Sequence, residues 1–325
     1  MNGFFTNAVR IGFATTLLVS SFVRGAAAQG PASEQCSLAA VSKFMDRSKN
    51  VCDANLVQEL AKQGHAFEQN QLGIASMLAI GPEYTDKDAR MWFEKAAQKG
   101  YAPAQVNLAV MYANGWGTPV NYGAALNWLH VAADQKFPRA YTNLGILYMK
   151  GQGVRQDYNE AFRWFEKGAN AGDSDAQTNL AYFYSNGLGC EKNEDAAAAW
   201  YRQAADAENP LAENNLADMY LRGDGIQQNA AEAFRLFQRA AEHGHTGARI
   251  MLGSMYAEGI GVKKNPEAAY IWITAATIAG DQRGRDRLRV IEARLTSAQI
   301  SAARDRARQL QFNSGQQLTA RAMAQ

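Results

Sequence analysis

Cysteine, histidine and proline are all scarce in this sequence. Its 325 residues include 3 cysteines, 4 histidines and 7 prolines. So few thiols and imidazoles exclude a disulfide-dense scaffold and a zinc module built on paired Cys and His ligands. With 47% hydrophobic and 20% charged residues, the composition also argues against disorder. We therefore expect a chain that folds around an apolar core and holds no metal or other cofactor.

Long hydrophobic runs are also missing, since no stretch approaches the roughly 18 apolar residues of a membrane-spanning helix. The main apolar run, Ile11 to Val23, lies near the N-terminus and is followed by small residues that include Ala26 and Ala28. This pattern predicts a secretory signal peptide over residues 1–28, cleaved near Ala28. A retained N-terminal anchor is the alternative. The mature chain is expected to be periplasmic or secreted and to lack an integral membrane segment.

Two of the cysteines lie in the short segment 29–67 that follows. An exported chain meets an oxidising compartment, so Cys36 and Cys52 are predicted to form a disulfide that joins N-terminal capping helices. Closing a loop of this size contributes about 3 kcal/mol in the chain-entropy model. The third cysteine, Cys190, aligns with apolar positions further along the chain, which favours a small buried side chain over a nucleophile.

What the chain does have is an internal repeat. A Gly-x-Gly pair recurs at 36-residue steps, beginning at Gly115/Gly117 and ending at Gly259/Gly261. Leucine, tyrosine and tryptophan columns keep the same register, as Leu108, Tyr112 and Trp128 illustrate. Self-similarity at such a period is typical of repeat proteins whose neighbouring units stack on one another.

Each unit is predicted to contain two helices joined by tight turns. The Gly-x-Gly pair ends the first helix, because glycine takes positive φ freely at a helix C-terminus. A column of Asn and Asp then caps the second helix, at residues 121, 157, 193, 229 and 265. Counting from residue 68 gives six units to residue 283. Residues 284–313 are expected to form basic C-terminal capping helices, and residues 314–325 a flexible tail.

These residues resemble the Sel1-like repeat family, which is related to the tetratricopeptide repeat. The motif here is Ala140-x-x-x-Leu144-Gly145-x-x-Tyr148-x-x-Gly151-x-Gly153, followed by Ala161-x-x-Trp164 and Ala169-x-x-Gly172. The resemblance implies an all-α fold, a right-handed α-solenoid of six 36-residue helix-turn-helix repeats with N- and C-terminal capping helices. It also implies a scaffold or adaptor, with exported bacterial members acting in envelope signalling, exopolysaccharide production or secretion.

No catalytic constellation, cofactor motif or metal-ligand spacing is apparent, so the sequence predicts a non-enzyme. His243 and His245 flank a helix-ending glycine without a suitably spaced third ligand. A family subgroup with β-lactamase-like activity carries a disulfide in each repeat, and this chain lacks those cysteine pairs. Nucleic acid is not expected as a partner, because the repeat body is mildly acidic and an exported protein does not meet it.

Charge is concentrated at the C-terminus. Residues 283–325 carry nine arginines and no lysine, against Asp286, Glu292 and Asp305. One interpretation is that the segment Arg283–Arg308 binds an acidic polymer such as a cell-wall glycan. The other is that the arginines form an ordinary solvated helix face.

A polar column on the first helices is the predicted partner-binding site. Asparagine recurs in register beside soft apolar side chains, and amides can bond the backbone of an extended peptide. The alternative interpretation is that each asparagine bonds its neighbouring hairpin and only spaces the stack. The predicted groove, facing a protein partner in the cell envelope, consists of Asn107, Met111, Asn143, Leu147, Asn179, Phe183, Asn215 and Met219.

Overall fold

The computed structural model describes residues 51–77 and 85–324, and for residues 51–56 and 312–324 only the backbone. The predicted signal peptide and Cys36 lie outside the described residues, so export and the disulfide with Cys52 stay predictions. Across the described part of the chain all regular structure is helical, with fifteen α-helices and one 3-10 turn at Gln282–Gly284. The helices are α1 Val51–Gln63, α2 Ala66–Met77, α3 Asp86–Gln98, α4 Ala102–Asn114, α5 Tyr122–Asp134, α6 Pro138–Lys150, α7 Tyr158–Asn170, α8 Ser174–Asn186, α9 Glu194–Asp206, α10 Pro210–Arg222, α11 Ala230–Glu242, α12 Thr246–Glu258, α13 Pro266–Ile278, α14 Arg285–Glu292 and α15 Ser297–Ala324.

The helices follow the 36-residue period without slippage. From α3 to α13 every helix is 13 residues long, and each begins 36 residues after its equivalent in the preceding repeat. Even-numbered helices α4 to α12 are the first helices of their repeats, and odd-numbered helices α3 to α13 are the second. The predicted repeat of helix, turn, helix and turn is confirmed.

The predicted Asn and Asp column caps the second helices. Asn121 Oδ1 accepts a hydrogen bond from the backbone N–H of Ala124 at 2.9 Å, and Asp157, Asn193, Asn229 and Asn265 make equivalent bonds. Thr85 and Asp88 form a reciprocal capping box at the start of α3. These side chains satisfy N–H groups that have no partner inside the helix.

The helix ends also match the sequence pattern, with one addition. Gly115, Gly151, Gly223 and Gly259 close first helices in the left-handed conformation. Two second helices end at Lys136 and Glu208, which have φ of 61° and 57° although neither is glycine. The position therefore demands a positive φ whichever residue occupies it, and side chains there carry a conformational cost.

The second glycine of the turn is required for a different reason. A Cβ atom built on Gly117 would collide with the carbonyl group of Asp86, at the start of the second helix of the preceding repeat. Gly225 and Gly261 approach Glu194 and Ala230 in the same way. These turns thus press the backbone of one repeat against the next, where no side chain fits.

The core lies between the two helices of each hairpin and between neighbouring hairpins. Leu108, Leu144, Leu216 and Leu252, from the predicted leucine column, are 0–3% exposed. The second helices contribute a column one residue after the tryptophans, which is 0–3% exposed and consists of Phe93, Leu129, Phe165, Tyr201, Phe237 and Ile273. The tryptophans themselves are only half-buried. The tryptophan side chains therefore cover the edge of the core, and the column one residue after them fills its interior.

The described chain falls into two compact units. Unit 1 consists chiefly of residues 51–77 and 85–176, and unit 2 of residues 177–319, so that the boundary falls within α8. One buried cluster of unit 1 spans α3 to α6, with Phe165 of α7 also buried, and the main buried cluster of unit 2 spans α8 to α12. Each unit is a stack of hairpins with its own buried cluster.

The C-terminal segment forms the helices α14 and α15. Ala303 and Ala307 of α15 are fully buried, and Ala303 packs with Tyr270, Ile273 and Ile291 in the last repeat and α14. α15 is helical to Ala324, and the flexible tail expected over residues 314–325 stays a prediction. A single glycine at position 315 costs only about 1 kcal/mol, which the flanking helix-forming residues offset.

Candidate functional site

In unit 1 the predicted binding column is buried. Asn107, Met111, Asn143 and Leu147 are 3%, 0%, 1% and 1% exposed. Met111 and Leu147 each lie three residues after a core leucine and therefore on the same packed face of the helix. The prediction that these two side chains line an open groove is wrong, and they belong to the core.

The two asparagines of unit 1 make bonds within the protein. Asn107 Nδ2 donates to Asn70 Oδ1 in the preceding repeat at 2.9 Å, and Asn143 Nδ2 donates to the carbonyl of Arg139 at 2.9 Å. The Asn107 amide therefore joins neighbouring hairpins, which agrees with the alternative interpretation of the column as a spacer of the stack.

In unit 2 the predicted column is only partly buried. Phe183 and Met219 are 0% and 3% exposed, so they too are core residues and the groove prediction is wrong for them. Asn179 and Asn215 are half-buried and lie at the edge of the packed face. The Asn215 side chain bonds with the hydroxyl of Tyr201 and, at 3.2 Å, accepts from Asn214. Burial raises the pKa of Tyr201, so its hydroxyl stays protonated and available for that bond.

An exposed stripe remains on the first helices of unit 2. Tyr182 on α8 is 46% exposed, and the side chain of Asp218 on α10 is 43% exposed. Asp218 is in register with Tyr182, and Asn214 and Asn215 lie one turn before it on α10. We call this set of four residues, Tyr182, Asn214, Asn215 and Asp218, the unit 2 face.

The unit 2 face is bordered by a charge cluster with one excess carboxylate. Arg222 Nη2 lies 2.5 Å from Asp218 Oδ2, and its Nε lies 3.2 Å from Asp224 Oδ2. Nearby, Lys192 pairs with Glu194 at 2.8 Å, which lowers the pKa of Glu194 and offsets the opposing effect of its burial. One guanidinium thus serves two carboxylates, and the border of the face is negative.

A column of polar residues lies between the repeats, and it was not predicted from the sequence. Gln69 and Gln105 donate through Nε2 to the carbonyls of Ala61 and Ala97, eight residues earlier, at 3.0 and 3.2 Å. Tyr141 and Arg249 occupy equivalent positions and donate to the carbonyls of Ala133 and Ala241. Each donor satisfies a carbonyl at the end of the preceding second helix, which would otherwise lack a partner. The 36-residue spacing of Gln69 and Gln105 is the sequence pattern that could have indicated this column.

Glu213 is the exception in this column, since a carboxylate cannot donate. Instead Arg239 Nη2 donates to the carbonyl of Ala205 at 2.8 Å, and the same atom lies 2.9 Å from Glu213 Oε1. The other Glu213 oxygen lies 2.9 Å from His243 Nδ1. Glu213 is fully buried, so the carboxylate is held by two basic side chains of its own repeat.

The histidine pair considered for metal binding has structural partners. His243 contacts Glu213, and His245 Nδ1 accepts from the backbone N–H of Ala248, capping α12 at 3.0 Å. Burial, with the nearby Arg283 and Arg249, lowers the pKa of His245 to about 4. Within the described ranges no group of three His, Cys, Asp or Glu side chains is arranged to hold a metal ion.

Cys190 is half-buried, and burial raises the pKa of its thiol. A thiol with a raised pKa is a poor nucleophile at neutral pH, which agrees with the packing role expected from the sequence.

Most of the C-terminal arginines have carboxylate partners. Arg283 pairs with Asp281 at 2.6 Å, Arg304 with Glu292 at 3.1 Å, and Arg306 with Glu267 at 3.3 Å. Arg308 and Arg289 pair with Asp305 and Asp286, one turn away. Of these contacts, Arg306–Glu267 joins α15 to the last repeat and Arg304–Glu292 joins α15 to α14, whereas the other three are local. They favour the interpretation as a solvated, partly paired helix face over a surface prepared for an acidic polymer.

Membrane-spanning segments were sought in the part of the chain that the structure describes, and none of its helices is long and apolar enough to qualify.

The Sel1 repeat model matches six consecutive segments, at residues 69–101, 102–137, 138–173, 174–209, 210–245 and 247–281. These bounds coincide with the helix pairs described above. A comparison with curated proteins found no match.

Among solved structures, a Sel1 repeat protein from Oxalobacter formigenes is 30% identical with a TM-score of 0.66, covering 76% of this chain and 99% of its own. A protective antigen of uropathogenic Escherichia coli, c5321, which displays an SLR fold, is 24% identical with a TM-score of 0.46. The match covers 88% of this chain and 71% of the antigen. The immunity protein Pa5087 from Pseudomonas aeruginosa is 16% identical with a TM-score of 0.43, covering 81% and 86%. With six matched repeats and an all-helical α-solenoid fold, this chain belongs to the Sel1 repeat family.

Proposed function

We propose that this protein is a non-catalytic scaffold or adaptor that binds a protein partner through the unit 2 face. Sel1 repeats mediate protein–protein interaction. The observation that carries the proposal is the exposure of Tyr182 and Asp218 on the first helices of unit 2, at the position that the buried residues Val110 and Ile146 occupy in unit 1. Tyr182, with 46% exposure, offers an aromatic anchor of the kind that dominates binding energy at interfaces.

The proposal also includes the compartment in which the protein acts. The apolar run from Ile11 to Val23 and the small residues up to Ala28 support export to the periplasm. A scaffold there would regulate an envelope process such as signalling, exopolysaccharide production or secretion. The pairing of Cys36 with Cys52 would fit the same compartment.

The test is crosslinking in the periplasm of the native host, with identification of co-purified proteins by mass spectrometry. The informative variant is Tyr182→Ala with Asn215→Ala, which removes the anchor and one amide. Loss of one aromatic anchor typically costs 1–2 kcal/mol or more, so we expect recovery of the partner to fall by about tenfold.

A matched control is Tyr158→Ala, because Tyr158 is 38% exposed but lies on the second helix α7. The control should retain the partner. A partner that both variants capture equally well would contradict a binding site on the unit 2 face. Recovery of wall or capsule fragments without any protein would contradict the scaffold function itself.

A further inference from the structure

Helix α14 holds the place of a first helix in a seventh repeat. Leu288 and Ile291 lie one 36-residue step after Leu252 and Met255, two core residues of α12. Ile291 is buried and packs on α13 of the last repeat. The match to the Sel1 repeat model ends at residue 281, so the family pattern does not reach this helix. The stack of first helices therefore continues by one helix beyond the matched repeats.

The exposed side of α14 carries an apolar residue between two arginines. Val290 continues the column of Tyr182 and Asp218 on the first helices of unit 2. Its side chain is 61% exposed, more than any other large apolar side chain of the described residues. Arg287 lies one turn before Val290 and Arg294 one turn after it, and both are exposed. We call Arg287, Val290 and Arg294 the α14 site.

The two arginines of the α14 site pair with no carboxylate in the part of the chain that the structure describes. Five other arginines of the C-terminal segment each pair with one. Arg287 donates through Nη1 to the neutral hydroxyl of Ser254. Glu258, which holds the position of Arg294 one repeat earlier, is exposed and lies outside ion-pair distance of it. The positive charge of the site is therefore left for a partner to neutralise.

An exposed apolar side chain between two such cations indicates the chemistry of that partner. Guanidinium groups bind carboxylates through charge-assisted hydrogen bonds, which are stronger than neutral ones. An acidic glycan would satisfy the arginines, but it has no apolar side chain to cover Val290. A protein segment with carboxylates on both sides of an apolar residue satisfies the arginines and also buries Val290, and that burial favours binding.

We infer that the α14 site binds an acidic segment of the partner protein, in which an apolar side chain covers Val290 and carboxylates pair with Arg287 and Arg294. This inference rests on the proposed function and names the chemistry of one contact that the partner makes. The two arginines are about 10 Å apart along the helix, a distance that about three residues of an extended segment span. Because Val290 continues the column of Tyr182 and Asp218, this contact adjoins the unit 2 face.

Selection from a random peptide library displayed on phage tests the chemistry of the segment. The bait is the immobilised mature protein, and phage that also bind the variant Val290→Ser are removed. This step keeps peptides that need Val290 and does not favour either sign of charge. We expect the enriched peptides to carry acidic residues on both sides of an apolar one. Enrichment of basic or uncharged peptides, or of no sequence, overturns the inference.

Fluorescence anisotropy then measures the binding of the most enriched peptide to charge variants of the mature protein. Arg287→Gln with Arg294→Gln should weaken binding at least about tenfold at low salt, because two ion pairs are lost. The matched control is Arg289→Gln with Arg308→Gln, which removes the same charge from exposed arginines that already have carboxylate partners. Melting curves verify that both double variants remain folded. Equal losses of affinity would show a response to overall charge and overturn the inference.

The acidic glycan is tested in the same assay, with polygalacturonate as the competitor. If polygalacturonate displaces the peptide and binds Val290→Ser as tightly as the unaltered protein, the site is one for an acidic polymer and the inference is overturned. The proposed function is tested separately by the crosslinked partner that Tyr182→Ala with Asn215→Ala should lose. A crosslinked partner whose recovery Arg287→Gln with Arg294→Gln leaves unchanged overturns the inference and leaves the proposed function intact.

Discussion

Replacing Gly117 by alanine adds a single methyl group at the tightest point of an inter-repeat turn. Two terms oppose this change. The residue has φ of 64°, a conformation that costs an L-amino acid about 1–2 kcal/mol. The new Cβ would also meet the backbone carbonyl of Asp86, and because backbone cannot rotate away, the turn or the start of α3 must shift.

Forced insertion of a methyl group into a packed site costs about 1–3 kcal/mol. The total for Gly117→Ala is therefore about 2–5 kcal/mol. Gly100 supplies the matched control, since it has φ of 84° but no atom lies within 4 Å of its would-be Cβ. Gly100→Ala should cost only the conformational term of about 1–2 kcal/mol.

Thermal unfolding followed by circular dichroism at 222 nm compares the two variants. A loss of 1 kcal/mol lowers Tm by roughly 2–4 °C in a domain of 150–250 residues. Hydrogen exchange across α3 and α4 shows whether the damage is local, as expected for a repeat stack. If Gly117→Ala is no more destabilising than Gly100→Ala, the close approach to Asp86 does not constrain the turn and the argument fails.

Three further predictions concern single side chains. Lys136→Gly should raise the free energy of unfolding by about 0.5–1 kcal/mol, because glycine adopts the positive φ of 61° without strain. The greater freedom of glycine in the unfolded chain offsets part of this gain. A rise in Tm measures the effect. Glu213→Gln should cost little stability, since glutamine is the residue found at this position in other repeats. Glu213→Ala should lower the free energy of unfolding by about 2–4 kcal/mol, because it leaves Arg239 without its buried partner. The midpoints of urea unfolding compare the two variants. Stability should fall as pH drops from about 6.5 towards 4, because the unfolded chain binds a proton there that His245, with its pKa lowered to about 4, does not bind when folded. The loss is at most about 3 kcal/mol, and His245→Asn, which keeps a cap without titrating, should flatten the profile; an unchanged slope would contradict the assignment.

The repeat architecture was predictable from the sequence because its signals are local. Glycine at a left-handed helix end and Asn121 or Asp157 at a helix start act through the nearest turn of backbone, so the period alone placed them. At Lys136 and Glu208 the geometry persists where the glycine is missing, and the prolines at 138 and 210 mark these helix ends in the sequence.

The binding column was harder to predict because exposure depends on which neighbouring segments cover each helix. Met111 and Met219 have the composition of an adaptable surface, yet their spacing of three residues from Leu108 and Leu216 turns them inward. Tyr182 and Asp218 were not predicted as site residues at all. The equivalent residues in the other repeats are Val110, Ile146 and Ser254, so no residue type recurs at this position to indicate a shared role.

The buried column between repeats also bears on how such a chain can lengthen or shorten during evolution. Glu213 and the basic side chains that hold it, Arg239 and His243, all belong to the segment 210–245. Duplication or loss of that whole segment would keep the carboxylate together with the side chains that hold it. The repeat that contains Arg249 lacks this freedom, because Gln311 and the other contacts of α15 tie it to the C-terminus. We therefore expect duplication of a repeat upstream of Thr246 to disturb fewer contacts than duplication of the last repeat.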